Sequence, residues 1–155
     1  MNLIAPLLAP TNVVVGLDAS SKKRVFEQAG LMFENHQGIA RSIVYDALFA
    51  REKLGSTGLG QGVAIPHGRI KGIREAVGAF IQLTEPVRFE APDGKPVSLI
   101  FVLLVPEAAT EFHLRLLSEL AQMFSDRSFR EALLKASDAS EAHTLFVNWK
   151  ADAQN

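Results

Sequence analysis

The 155-residue sequence predicts a single α/β domain over residues 1–155, a sandwich with a mixed sheet of four or five strands flanked by helices on both sides. Three observations point there. The run Val97–Val105 (VSLIFVLLV) is apolar at nearly every position, the pattern of a central strand covered on both faces. Stretches with apolar residues at helical spacing come before and after it. No internal repeat, low-complexity tract or Ser/Gly-rich linker divides the chain, and 48% hydrophobic residues suit one substantial core.

Taken in order, residues 13–17 (Val-Val-Val-Gly-Leu) read as a first strand. Asp18, Ser20 and Ser21 then offer capping oxygens for a helix in which Val25, Ala29, Met32 and Phe33 recur at helical spacing, with Gly38 as the stop. A second helix is expected from about Ile39 to Leu54. Ile43, Ala47, Arg51 and Leu54 form one line along it, and Gly55 stands where a left-handed terminal residue is wanted. The stretch GSTGLGQGVAIPHGR is a flexible loop entering a short strand, Val63–Ile65. Ala76–Leu83 and Val97–Val105 are the main strands; between them VRFEA suggests a shorter strand, and Pro92-Asp93-Gly94 a hairpin turn. The last third reads as helices at Glu111–Phe124, Arg127–Ala136 and Glu141–Trp149.

Charge and composition exclude several functions. With 16 basic and 17 acidic side chains the net charge is −1, so no domain-wide basic field attracts nucleic acid or an anionic membrane. The absence of cysteine removes disulfides, thiolate nucleophiles and cysteine-ligated zinc, and fits a cytoplasmic location. The apolar N-terminus lacks a basic region and is interrupted by Pro6 and Pro10, a poor signal peptide. Leu99–Val105 is far shorter than the ~20 residues that cross a bilayer, so no membrane insertion is expected.

The segment Ile65-Pro66-His67-Gly68 is the most informative short stretch. Proline cannot donate to a sheet ladder, so the strand should end at Pro66 and leave His67 in a tight turn at the sheet edge, with Gly68 supplying conformational freedom. A neutral imidazole there keeps one free lone pair and can attack phosphorus. A histidine that only satisfies turn hydrogen bonds has the same local sequence.

Arg51 continues an apolar helix line in the last turn, where a cation also suits the helix dipole. It either snorkels there or reaches the small-residue loop beyond, where a guanidinium can grip a phosphoryl group by two parallel hydrogen bonds. His113 opens a stripe with Leu117, Leu120 and Phe124, and with Thr110 as N-cap it sits in the first turn. A histidine bonded to backbone in a core would look alike. His36 and His143 read as solvated surface residues.

Other motifs fail. GSTGLGQG lacks the Lys-Ser/Thr of a Walker A loop, and its glycines at 58, 60 and 62 miss the dinucleotide spacing. His67, His113 and Glu111 could be assembled into a zinc site, but no HExxH helix or ligand spacing demands one. Leu59, a leucine between glycines, is a candidate rim contact for a partner.

Together, Arg51-Glu52, Gly55-Ser56-Thr57-Gly58, Gly62–Gly68 (GVAIPHG), Asp93-Gly94-Lys95-Pro96-Val97, and Val105-Pro106-Glu107 followed by His113-Leu114 form a recognisable set. The chain resembles the enzyme IIA component of the bacterial phosphotransferase system, in the fructose/mannitol superfamily, and most closely its nitrogen-regulatory branch (IIA-Ntr). The resemblance covers nearly the whole chain, most specifically residues 51 to 124. It implies that His67 carries a phosphoryl group, that Arg51 and His113 support it, and that Thr57 contacts its oxygens; Ser56, opening the loop to Gly62, is a further candidate hydroxyl donor to them. It also implies a phosphohistidine donor, HPr or its nitrogen-branch relative, and no metal or nucleotide cofactor. Three function classes follow. The first is a phosphoryl carrier that regulates target proteins through its phosphorylation state. The second is a sugar-uptake subunit passing phosphate to a IIB domain, and the third an interaction module with a vestigial site. The absence of a fused IIB or HPr-like segment favours regulation.

Overall fold

The computed structural model describes residues 2–108 and 110–151. Its elements run β1 (Val13–Leu17), α1 (Lys22–Gln37), α2 (Arg41–Glu52), β2 (Gly58–Gly60), β3 (Val63–Ala64), β4 (His67–Ile70), β5 (Val77–Val87), β6 (Val97–Pro106), α3 (Thr110–Ser125), α4 (Arg127–Lys135) and α5 (Ala139–Asn148). Two 3₁₀ turns, Ala5–Leu7 and Pro10–Asn12, precede β1.

Among these residues the sheet has six strands rather than the four or five expected, in the order β1-β5-β6-β3-β2, with β4 also on β6. It is mixed. β5 and β6 pair antiparallel, whereas β1 runs parallel to β5, and β3 and β4 run parallel to β6. The undercount arose at the short pieces β2 and β4, which carry too few residues to show an alternation.

β6 explains the layers. Its residues Leu99, Phe101, Leu103 and Val105 enter one core with α3, α4 and α5, through Leu116, Leu120, Phe129, Leu133 and Phe146. Ile100, Val102 and Leu104 enter the other with α1 and α2, through Val25, Phe26, Phe33, Val44 and Leu48. A strand apolar on both faces is therefore buried on both, as its sequence implied. The apolar N-terminus joins the first core, with Ile4 and Leu8 buried and Asn2 Nδ2 donating to the Phe146 and Trp149 carbonyls at 2.8 and 2.9 Å.

Helix ends follow their caps. The Ser21 hydroxyl accepts the Arg24 N–H at 3.2 Å, and Gly38 closes α1 in the left-handed region at φ +70°. Asp126 and Asp138 cap α4 and α5 in the same way as Ser21. The second helix is shorter than Ile39–Leu54, because the backbone leaves helical bonding after Glu52; Gly55 has a positive φ of +152°, but it lies in the loop and Lys53 takes the C-cap position. The α3 helix already includes Thr110, so its cap lies outside the described residues. The VRFEA segment forms no strand of its own. β5 instead continues through Val87, opposite Val97, and the connection turns at Pro92–Gly94, where the Gly94 N–H donates to the Ala91 carbonyl.

Candidate functional site

The site grows from a strand that proline interrupts without ending. Val63 and Ala64 pair with Leu99 and Ile100, and after the break His67 and Gly68 pair with Leu103 and Leu104 in unchanged register. Pro66 has no N–H to give, but its carbonyl still accepts the Leu103 N–H at 2.9 Å. The Ile65 N–H turns aside to the Thr57 carbonyl, also at 2.9 Å, which ties the 55–58 loop to the strand. His67 thus opens β4 instead of sitting in a turn beyond a terminated strand, which corrects the sequence reading. Gly68 is required for space rather than for φ: a Cβ there would meet Ala47 of α2 at 3.1 Å from its Cβ and 3.3 Å from its carbonyl.

Partners in a ladder share a face, so His67 points with Leu103 toward α3, and Gly68 lies against α2. His67 Nδ1 lies 2.8 Å from the Ile65 carbonyl. A carbonyl only accepts, so Nδ1 carries the proton and Nε2 of the neutral ring keeps its lone pair. Burial holds the His67 pKa below the ordinary histidine value; the Arg51 charge adds to this, and the Ile65 bond and Glu52 oppose it.

His113 lies in the first turn of α3, its ring 5.3 Å from that of His67 and nearly perpendicular to it at 79°. It is only 8% exposed, and its Nε2 is buried without a hydrogen-bond partner among the described residues. Burial, then the charges of His67, Arg69 and Arg51, lower its pKa. An unpaired buried nitrogen is costly, which argues against a histidine kept merely to satisfy the core. Of the rest of its expected stripe, Leu120 and Phe124 are buried as expected and Leu117 is the exception. Leu116, Leu120, Met123 and Phe124 are buried, while Leu117 is half-buried at the site.

Arg51 reaches the same place from α2, although the line that drew attention to it does not face the core. Val44, Leu48 and Glu52 are the buried residues of α2; Ile43 is 50% and Leu54 84% exposed. The line Ile43–Ala47–Arg51–Leu54 instead runs along the flank beside β4. Arg51 Nη1 donates to the Gly55 carbonyl at 2.7 Å, so the guanidinium is tied to the loop that follows its own helix while bordering His67. Ser56 and Thr57 line a basin with Arg51 and His67. Their hydroxyl protons are already given away, from Ser56 to the Phe89 carbonyl and from Thr57 to the Glu52 carboxylate at 2.7 Å. Sequence reading passed over Glu52. The signal for it was present: it continues the buried line Val44–Leu48 by one more helical step.

Two open basins, of about 420 and 490 Å³, meet at Arg51, His67, Leu114 and Leu117. Leu59, Leu54 and Leu114 stand around them, 44%, 84% and 66% exposed, so Leu59 is on the rim, as read from its glycine neighbours. The two other histidines are less free than expected. His36 is exposed, yet its Nδ1 bonds Asn12 Oδ1 at 3.0 Å, and half-buried His143 places Nε2 2.9 Å from the Leu8 carbonyl. Among the described residues no group of three or more His, Cys, Asp and Glu is placed to hold a metal ion, Glu111 included. No helix among them is long and apolar enough to cross a membrane.

The family model for the phosphoenolpyruvate-dependent sugar phosphotransferase system, EIIA 2, matches residues 6–149. A nitrogen regulatory protein from Pseudomonas aeruginosa is 44% identical over 150 residues, covering 96% of this chain and 95% of the relative. The crystal structure of nitrogen regulatory protein IIA-Ntr from Neisseria meningitidis superposes with a TM-score of 0.88 at 56% identity, covering 93% of this chain and 99% of that one. The fold is shared by mannitol enzyme IIA of Escherichia coli, seen in a complex with phosphorylated mannitol enzyme IIB, at TM-score 0.77 and 24% identity over 92% of this chain and all of that one.

Proposed function

The chain belongs to the EIIA 2 family of the phosphotransferase system, and on that premise we propose that it is a cytoplasmic phosphoryl carrier whose acceptor is His67 Nε2. The donor is a phosphohistidine of HPr or of its nitrogen-branch relative, and the phosphorylation state regulates partner proteins. The relatives named as nitrogen regulatory proteins support the regulatory role over sugar uptake through a IIB domain.

The observation that carries this reading is the bond from His67 Nδ1 to the Ile65 carbonyl. It holds the ring in the one neutral tautomer whose lone pair is on the nitrogen free of that bond. In-line attack then forms the bond from Nε2 to phosphorus as the bond to the donor imidazole breaks, and the electron pair leaves with the donor ring. Exchange between two imidazoles is nearly balanced, so the protein's work is positioning and charge stabilisation. Arg51 has five N–H donors, enough to keep the Gly55 carbonyl and still meet phosphoryl oxygens. His113 Nε2, otherwise unpartnered, supplies one further hydrogen bond. Ser56 and Thr57 contribute as the wall of the basin, and the leucines 54, 59 and 114 offer the apolar contact that seats a protein donor.

The test is incubation with phosphoenolpyruvate, enzyme I and HPr, followed by intact-mass measurement. The expected result is one acid-labile phosphoryl group, absent in His67→Ala. Labelling that persists in His67→Ala overturns the assignment.

A further inference from the structure

We infer that Glu52 is a positioning residue for phosphoryl transfer, acting through Thr57 on the loop whose Gly55 carbonyl orients Arg51. The inference rests on the reading of His67 as the acceptor.

Glu52 occupies a place where an apolar side chain would be the simple choice. It is the third member of the buried α2 line after Val44 and Leu48, and its side chain is only 5% exposed. A carboxylate buried so deeply is tolerated only when it is paired and fully hydrogen-bonded. Here it is. Oε1 accepts the Thr57 hydroxyl at 2.7 Å; Oε2 accepts the Thr57 N–H at 3.0 Å and the Lys22 ammonium at 3.0 Å.

Each of those partners ties down a different segment. Lys22 opens α1, pairs also with Glu90 at 2.8 Å and lies over the Phe89 ring at 5.0 Å from its centroid. The Phe89 carbonyl in turn accepts the Ser56 hydroxyl, whose oxygen accepts the Gly58 N–H at 3.0 Å. The start of α1, the 88–91 connection and the 55–58 loop are therefore bound together at one point behind the basin wall. In front of it, Gly55 gives its carbonyl to Arg51 at 2.7 Å. Adjacent residues on α2 thus hold one loop from two sides, Arg51 from the basin and Glu52 from within. A loop loosened at Thr57 frees the Gly55 carbonyl to wander, and the guanidinium loses the acceptor that aims its remaining donors. Stability alone does not require this arrangement, since a leucine would bury more apolar surface at that position.

Single-turnover transfer from phosphorylated HPr to the full-length chain separates the terms. Three variants are needed: Glu52→Ala, Thr57→Val and Thr57→Ser. Thr57→Val keeps the shape and removes only the hydroxyl donor, so it remains informative where Glu52→Ala fails to fold. The expected result for Glu52→Ala and Thr57→Val is a maximal transfer rate at least tenfold below wild type, with the half-saturating donor concentration changed less than twofold. Thr57→Ser, which restores the donor, should transfer within twofold of wild type. Wild-type rates in folded Thr57→Val, or no recovery in Thr57→Ser, overturn the inference while leaving the carrier reading intact. Absence of labelling in the wild-type protein overturns the carrier reading, and this inference with it.

Discussion

Gly68→Ala tests the link between the sheet and α2 that sets Arg51 beside His67. Gly68 does not have the positive φ that penalises alanine, so the whole effect must come from the added methyl group. That methyl would lie 3.1 Å from the Ala47 Cβ and 3.3 Å from the Ala47 carbonyl carbon and oxygen. The carbonyl belongs to a helix and cannot swing away, so α2 or β4 must give by a few tenths of an ångström. Overpacking of this kind costs about 1–3 kcal/mol. For a chain of this size each kcal/mol lowers the melting temperature by about 2–4 °C, so a drop of about 2–12 °C is expected. The functional effect should exceed what the stability loss explains, because the strain separates the acceptor-bearing strand from the arginine-bearing helix. A misplacement near 1 Å costs roughly a hundredfold in rate, and a few tenths should cost about threefold to tenfold. Thermal unfolding by circular dichroism and transfer from phosphorylated HPr at 20 °C, where the variant is fully folded, measure the two separately. A melting temperature within 1 °C of wild type with an unchanged rate would refute the close contact and the positioning argument built on it.

Two further outcomes follow from the same geometry. His113→Ala should still accept a phosphoryl group but roughly a hundredfold more slowly, the lower end of the range for losing a single transition-state donor; a fold lost altogether, seen as loss of the helical far-ultraviolet signal, would favour a core role for the ring instead. Because burial lowers the His67 pKa, the acceptance rate should stay level from pH 8 to 6.5 and fall only below the ordinary histidine range. The linked stability has the same sign. Below pH 6.5 the unfolded chain binds protons that the folded His67 and His113 refuse, so folding weakens as pH drops from 6.5 to their folded values. Denaturant titrations at pH 5.5 and 7.5 should show this, with a smaller difference in His67→Ala.

The fold was legible where side-chain pattern and burial coincide. VSLIFVLLV announced a strand covered on both faces, and the capped helices α1 and α4 fell within a residue or two of their expected bounds. What escaped were features set by tertiary contact. β4 is held by its ladder to β6, and four residues beginning with histidine and glycine show no period of their own. The strand break at Pro66 was visible, but its resumption depends on the carbonyl of Pro66 finding Leu103, which no local pattern records. The need for space at Gly68 is invisible locally because Ala47, which crowds it, lies on the preceding helix.

The site was legible for a different reason: its residues sit badly in the patterns around them. A histidine at the head of an apolar stripe and an arginine on a helix line both stood out, and both border His67. Yet the apolar line through Arg51 runs along the flank of α2, and the buried line ends in Glu52. The two adjacent residues divide one task by facing opposite ways. Arg51 and His113 both line the basin, Arg51 with donors beyond the one given to Gly55 and His113 with an Nε2 that has no partner among the described residues, which is what the proposed role asks of them. Glu52 faces inward and is satisfied in full, by Lys22 and by both donors of Thr57. A polar group that meets a ligand should be incompletely paired before the ligand arrives, and one that holds the frame should not be. Burial alone does not separate these cases, since His113 and Glu52 are equally buried at 8% exposure. Hydrogen-bond completeness does: the carboxylate is already committed to the loop, and the imidazole is the one of the two with a nitrogen still to pair, as the proposed transfer requires.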